Sequence, residues 1–378
     1  MIPVNEPLIA KNAKKYVLDC LNSGWVSSAG QYIDKFENSF AKYLGIRFAV
    51  TTTSGTSALH LALATLGIGP GDEVLLPDLT IISCALAVIY VGAKPILVDV
   101  EGSTGNIDPG KIEEKITKMT KAIMVVHLYG HPANLDHILK IAKKHKLLVI
   151  EDAAEAHGAK IRMSWKNKND LFWKKVGSIG DVGCFSFYAN KLITTGEGGM
   201  LVTNNQKIYQ KAKRLKDLAH SSQRRFYHQE IGYNYRMTNI QAALGYAQLE
   251  EIETYVIKKR TIAHMYTKGL SGVSCLELPT EMPWTKNVFW MYAPRIKRGS
   301  QVTKRQLCDL LKKNGIETRD YFVPLHRQPA LRNLGLFKNE KYPVSDDWSN
   351  RGFYIPSGLA LTDSQIKYVI NTIKKIAK

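Results

Sequence analysis

Short apolar runs alternate with helix-patterned segments along the first two hundred residues, and this rhythm restricts the fold more than any other feature. The apolar runs are Phe48–Thr52, Glu73–Leu76, Pro95–Asp99, Ala122–Leu128, Leu147–Glu151, Cys184–Tyr188 and Met200–Thr203. Between them Gly55–Leu66, Ile81–Val91, Lys111–Lys115 and Asn134–His145 carry helical spacing. Strands apolar on both sides must be covered on both, so the pattern predicts an α/β fold with a doubly wound, mostly parallel sheet. Amphipathic helices over 11–22 and 31–44 precede it, around the segment Gly24–Ser28. The pattern changes after about residue 237. Thr238 is a candidate N-cap for a long helix with Ile240, Ala243, Leu244, Ala247 and Leu249 at helical spacing. Strands near 289–294 and helices near 303–314 and 363–377 complete the chain. The expected organisation is a large domain over 1–245, N-terminal segment included, and a smaller C-terminal α+β domain over 246–378. A chain of 378 residues suits about two domains.

Lys191 stands between the aromatic run Phe185–Tyr188 and the turn Thr195-Gly196-Glu197-Gly198-Gly199. Upstream, Leu147–Ile150 runs into Glu151-Asp152, with Glu155 three residues further on. In open α/β sheets ligands lie beyond the carboxyl ends of the strands, which is where this lysine and this aspartate fall. A pyridoxal phosphate enzyme requires that pair: a lysine to bond the aldehyde, and a carboxylate to keep the pyridine nitrogen protonated. Strand alternation places Ser186, Tyr188 and Asn190 on one face, with Lys191 at the end where the chain turns back. The glycine turn lets backbone approach a ligand closely. Thr53–Leu59 is a glycine-containing turn that opens a helix. It suits a phosphate, with Thr56 adding a hydroxyl, but taken alone it reads first as an ordinary Ser/Thr helix cap.

Bulk properties narrow the function classes. The odd set Cys20, Cys84, Cys184, Cys275 and Cys308 has no C-x-x-C pair, so reduced thiols are expected and no metal site. Cys184 reads as a small core residue. The net charge is +19, from 52 Lys+Arg against 33 Asp+Glu. The cations are scattered over helix faces such as 140–146 and 258–260, without an aromatic-interleaved basic motif, so no nucleic-acid partner is expected. Attraction of phosphorylated ligands fits the same field. The longest apolar run, Ile81 to Ala93, is shorter than the ~20 residues of a membrane span. No membrane partner is expected, and with no leader pattern at the start the expected location is cytoplasmic.

Taken together, several segments resemble the DegT/DnrJ/StrS family of sugar aminotransferases, a branch of the fold-type I pyridoxal phosphate enzymes. They are Gly24–Ser28, Ser54-Gly55-Thr56, Gly71-Asp72-Glu73-Val74, His127–His131, Glu151–Glu155, Phe185-Ser186-Phe187, Asn190-Lys191, Thr195–Gly199, Gly232–Asn239, Arg351-Gly352 and Pro356-Ser357. The start Met1-Ile2-Pro3-Val4, the Trp25 segment, Tyr233–Met237 and Tyr321–His326 are similar to the branch that aminates C4 of GDP-4-keto-6-deoxymannose. The resemblance implies transfer of the amino group of L-glutamate to a nucleotide-linked 4-keto-6-deoxy sugar, leaving 2-oxoglutarate. UDP- or dTDP-linked sugars, 3-keto sugars and a non-catalytic cofactor-binding regulator are the alternatives. Dehydrase relatives carry histidine in place of the lysine, which Lys191 argues against.

By position, the resemblance makes Lys191 the cofactor-bonding lysine and Asp152 the partner of the pyridine nitrogen. Glu155 falls near the ring hydroxyl, and Gly55, Thr56 and Ser186 at the phosphate. Asn234 matches an asparagine that reaches the cofactor phosphate of a neighbouring subunit, implying a homodimer with shared active sites. Trp25, Arg319 and His326 fall among substrate contacts. Two segments depart from the family pattern. Ile81 stands where relatives carry an aromatic residue on the pyridine face, a loss of ~1 kcal/mol of stacking. The basic stretch 162–175 is longer than usual and reads as a surface hairpin. Its tryptophans Trp165 and Trp173 either hold it together or dock it on a neighbour.

Overall fold

A computed structural model describes residues 1–164, 171–221, 223–224 and 226–377. Its centre is a seven-stranded sheet. In chain order the strands are β1 (Phe48–Thr52), β2 (Glu73–Pro77), β3 (Lys94–Val98), β4 (Thr120–Val126), β5 (Leu148–Asp152), β8 (Val182–Ser186) and β9 (Gly199–Thr203), with β6 (Lys160–Ser164) and β7 (Leu171–Lys175) forming a hairpin outside it. The spatial order is β1-β9-β8-β5-β4-β2-β3. All neighbours from β3 to β8 pair in parallel, and β9 runs antiparallel to both β8 and β1. The expected mostly parallel α/β sheet is therefore present.

Alternation within each strand explains the double covering. Leu75, Ile123, Val125, Val149, Phe185 and Val202 join the core on one face. Their neighbours Leu76, Met124, Val126, Ile150, Cys184 and Leu201 join the core on the other. Helices α1 (Ala13–Ser23), α2 (Gln31–Leu44) and α5 (Leu135–His145) supply the first face, and α3 (Gly55–Leu66), α4 (Ser83–Tyr90) and α6 (Gln206–Lys216) the second. Phe36 and Phe40 of α2 pack on Phe187 and Phe185, with ring centroids at 5.0 and 4.9 Å.

The C-terminal part starts from α7 (Asn239–Glu250), which packs on α1 and α2, and continues through α8 (Ile252–Leu270), α9 (Lys304–Lys313), α10 (Pro329–Asn333), α11 (Pro343–Arg351) and α12 (Asp363–Ile376). A further core gathers Ile262, Tyr266, Leu307, Leu311, Ile366 and Ile373. Several local expectations are corrected. Residues 111–115 form only short 3-10 turns, because Asp108 caps Gly110 and the stretch buries little beyond Pro109 and Ile112. The long helix after Thr238 breaks at Glu251 into α7 and α8. Residues 289–294 are irregular, since Phe289 is left-handed (φ 50°) and Pro294 lacks an N–H; the segment keeps one bridge, Tyr292 to Ile355. Helix α6 is outside the expectations, because it is strongly polar and buries only Ala212, Leu215 and Lys216. The 162–175 stretch is a hairpin in its described arms, with Arg162 opposite Trp173. Lys286 sits 4.6 Å from the Trp173 ring. Trp165 lies outside the described residues. Among those described, no helix is long and apolar enough to cross a membrane, and no cluster of side chains could hold a metal ion.

Candidate active site

The carboxyl ends of β5 and β8, the N-termini of α3 and α4, and irregular segments from the C-terminal part enclose a cavity of about 380 Å³. Its lining includes Gly55, Thr56, Ile81, Asp152, Glu155, Ser186, Lys191 and Arg319. Residues separated by more than two hundred positions thus meet where a doubly wound sheet places ligands.

Asp152 ends β5 and is buried. Its Oδ1 accepts the Ala154 N–H at 3.0 Å, and its Oδ2 accepts the Cys84 thiol at 3.1 Å. Burial and the neighbouring Asp152 carboxylate push the Cys84 thiol up, so it stays a donor. Glu155, in the turn three residues beyond, accepts the N–H of Tyr129 on Oε2 at 2.8 Å. Tyr129 itself is left-handed (φ 53°), an unfavourable state for a large residue, and this backbone bend aims its N–H at the carboxylate. Lys191 follows the turn after β8. Its Nζ lies 3.8 Å from Glu155 Oε1 and 3.9 Å from the centre of the Trp290 ring. Burial lowers the Lys191 pKa, with Glu155 and Asp152 opposing. Burial also pushes Glu155 up to about 7, with Lys191 pulling it back. The site therefore holds an amine that deprotonates more readily than a surface lysine, beside a carboxyl that titrates near neutrality.

At the other end, Ser54 caps α3 by accepting the Ser57 N–H, leaving Gly55 and Thr56 in the first turn with the positive end of the helix dipole. A Cβ on Gly55 would come within 2.8 Å of the Ser186 Cβ, so only glycine lets this backbone sit against β8. Thr56 donates to Ser83 at 3.1 Å, joining the starts of α3 and α4. The geometry of this end fits a phosphate group. Asn190 adds a second pointer to a ligand: its buried Oδ1 has no partner, and the residue lines the cavity. Amine, acid and phosphate cradle together match the demands of pyridoxal phosphate. Ile81 lies at the rim, 41% exposed.

Ser186, Tyr188 and Asn190 do share the cavity face. Three expected residues are not brought there within this chain. His326 is bound to Asp78 through Nδ1 (2.8 Å) and its backbone N–H (2.9 Å), which turns it toward a separate surface hollow. Burial pulls the His326 pKa down, but the Asp78 and Asp346 carboxylates outweigh this and raise it. Trp25 is exposed, and its carbonyl accepts Asn239 Nδ2 at 2.6 Å. Asn234 sits on the surface, accepting Arg236 Nε at 3.0 Å; its expected place is a neighbouring subunit's site, which one chain does not contain. Sequence reasoning missed Cys84, Tyr129, Trp290, Met291, Phe322 and Tyr354. Cys84 carries a faint signal, one turn beyond Thr80 at a helix start. Trp290 carries none, since its segment reads as a strand of the smaller domain and nothing in it points to the site.

Comparison with known proteins gives a concordant result. The model of the DegT/DnrJ/EryC1/StrS aminotransferase family matches residues 7–374. The chain is 42% identical over 376 residues to the GDP-perosamine synthase of Escherichia coli O157:H7, covering 99% of this chain and 98% of that one. It is 39% identical over 374 residues to the GDP-perosamine synthase of Vibrio cholerae, with the same coverage. Among solved structures it superposes on the PLP-form of Spr1654 from Streptococcus pneumoniae with a TM-score of 0.91 at 27% identity, covering 100% of this chain and 98% of that one.

Proposed function

This chain belongs to the DegT/DnrJ/EryC1/StrS aminotransferase family, and we propose that it aminates C4 of GDP-4-keto-6-deoxymannose with L-glutamate as donor, forming GDP-perosamine and 2-oxoglutarate. The observation that carries the chemistry is the meeting of Lys191, Asp152 and Glu155 in one cavity with the Gly55–Thr56 cradle. The GDP-sugar assignment is supported by full-length similarity to the two GDP-perosamine synthases.

Bound pyridoxal phosphate supplies the electron sink that acidifies the carbon bearing the migrating amine. The residues of the chain do the rest. Lys191 Nζ is the group that would hold the cofactor; as a free amine it would take the proton from the α-carbon of glutamate and, in the reverse sequence, deliver a proton to the sugar's C4. Asp152 keeps the pyridine nitrogen protonated, held in line by the Ala154 N–H and the Cys84 thiol. Ser54 to Thr56 and Ser186 bind the phosphate. Trp290, Phe322 and Tyr354 roof the cavity and exclude water. Arg319, at the mouth, is a cation suited to the substrate carboxylate or diphosphate.

The working unit we propose is a homodimer. Asn234 follows a stretch in which Phe226 and Ile231 are 76% and 88% exposed, an apolar surface that a second subunit would cover while Asn234 reaches its phosphate. A cytoplasmic setting suits the five free thiols.

The test is a glutamate-dependent assay with purified enzyme across GDP-, UDP- and dTDP-4-keto-6-deoxy sugars. We expect kcat/KM for the GDP sugar to exceed the others at least tenfold. A preference for a UDP or dTDP sugar would overturn the GDP assignment and leave the aminotransferase standing.

A further inference from the structure

Lys259 is the one fully buried lysine whose ammonium meets no carboxylate among the described residues. It is 3% exposed, in the middle of α8. Its Nζ donates to the carbonyls of Trp290 and Ser357, both at 2.6 Å. The contrast within the same molecule is Lys216, also buried, which rests on Glu37 at 3.0 Å and on Thr51, away from the cavity. A buried amine without a counter-charge opposes folding whenever it is protonated, so its retention calls for a reason beyond stability.

The contacts around Lys259 lead to the active site. Trp290 is clamped at both ends. Its carbonyl accepts Lys259, and its indole N–H donates to the carbonyl of Asn190 at 2.7 Å, next to Lys191. The ring between these anchors lies 3.9 Å from Lys191 Nζ. The second carbonyl held by Lys259 belongs to Ser357, whose Oγ accepts the Tyr292 N–H at 3.1 Å and whose own N–H reaches Val4. Val4 leads to Asn5, which donates to the same Asn190 carbonyl. Both routes from Lys259 end on the Asn190-Lys191 turn. The 288–294 segment has no ladder of its own to fix it, because it keeps a single bridge.

We propose that Lys259 is a positioning residue for the aminotransferase reaction: it fixes the Trp290 main chain so that the indole face covers the Lys191 amine. Burial lowers the Lys259 amine to about 7, and either protonation state has enough N–H bonds for its two carbonyls. An electron-rich indole face beside Lys191 favours the cationic form of its nitrogen. The proposal rests on the reading of Lys191 as the cofactor-bonding lysine.

The test compares wild type with Lys259→Met, Trp290→Phe and Lys216→Met as holoenzymes. It follows the pH titration of the visible absorbance of bound pyridoxal phosphate, with melting temperature alongside. We expect the titration midpoint to fall by about 0.5–1 pH unit in both Lys259→Met and Trp290→Phe. We expect Lys216→Met to lose melting temperature without moving the midpoint. Unmoved midpoints in both Lys259→Met and Trp290→Phe would overturn the proposal, as would an equal shift in Lys216→Met. If Lys259→Met does not fold, an unmoved Trp290→Phe alone is sufficient to reject it. A wild-type protein with no pH-dependent absorbance would instead reject the underlying reading of Lys191.

Discussion

At the scale of single residues, two positions carry sharp consequences. Gly55 is fixed by contact and not by backbone conformation: a methyl there meets Ser186 at 2.8 Å. Gly55→Ala must push Ser186 or the helix start away, an overpacking cost of about 1–3 kcal/mol. Titration of the apoenzyme with pyridoxal phosphate should show affinity reduced about tenfold or more; unchanged affinity would place the phosphate elsewhere. Glu155 carries the pH dependence. With its pKa raised to about 7, the folded chain keeps a proton that the unfolded chain has already released. The stability from this group is therefore complete below the unfolded pKa and is lost as pH rises through 7. The span corresponds to a loss on the order of 3 kcal/mol. Urea unfolding of the apoenzyme at pH 5 and pH 7.5 should show a smaller drop for Glu155→Gln than for wild type; equal drops would remove Glu155 as the source. Asp152 and Ser186 were legible in the sequence because each ends a strand, and Glu155 and Lys191 because each follows one of those strands within a few residues. Cys84 and Trp290 were not, because their roles exist only once α4 and the 288–294 segment are folded against β5 and the Lys191 turn.

At the scale of elements, caps and alternation decide what forms. Thr238 and Gln241 make a reciprocal capping box at the start of α7, and Gln241 Nε2 also donates to the carbonyl of Glu197 on the cavity wall at 2.7 Å. Thr238→Ala should lower stability by about 1 kcal/mol, read as a lower urea midpoint with an unchanged slope; an unchanged midpoint would mean that the cap adds nothing. The sheet strands were readable because apolar residues alternate between two buried faces. The failures have the same origin. Helix α6 is held by a few buried residues on a polar surface, so its periodicity is faint, whereas residues 111–115 show suitable spacing but lack a face to bury. The break at Glu251 has no proline or glycine to announce it.

At the scale of the molecule, acids neighbour some of the cations in ion pairs such as Arg351 with Asp347 and Lys144 with Glu113, and the excess of cations leaves the net charge of +19. What the fold achieves is convergence. Strand ends from the sheet, two helix starts and irregular C-terminal segments surround one buried amine, and no single stretch of sequence contains that site. The most direct test mixes the holoenzyme with L-glutamate alone and measures 2-oxoglutarate. Wild type should release about one equivalent per site without any sugar, and Lys191→Ala should slow this release by about 10²–10⁴-fold or more. Release by Lys191→Ala at the wild-type rate would contradict the assignment of Lys191.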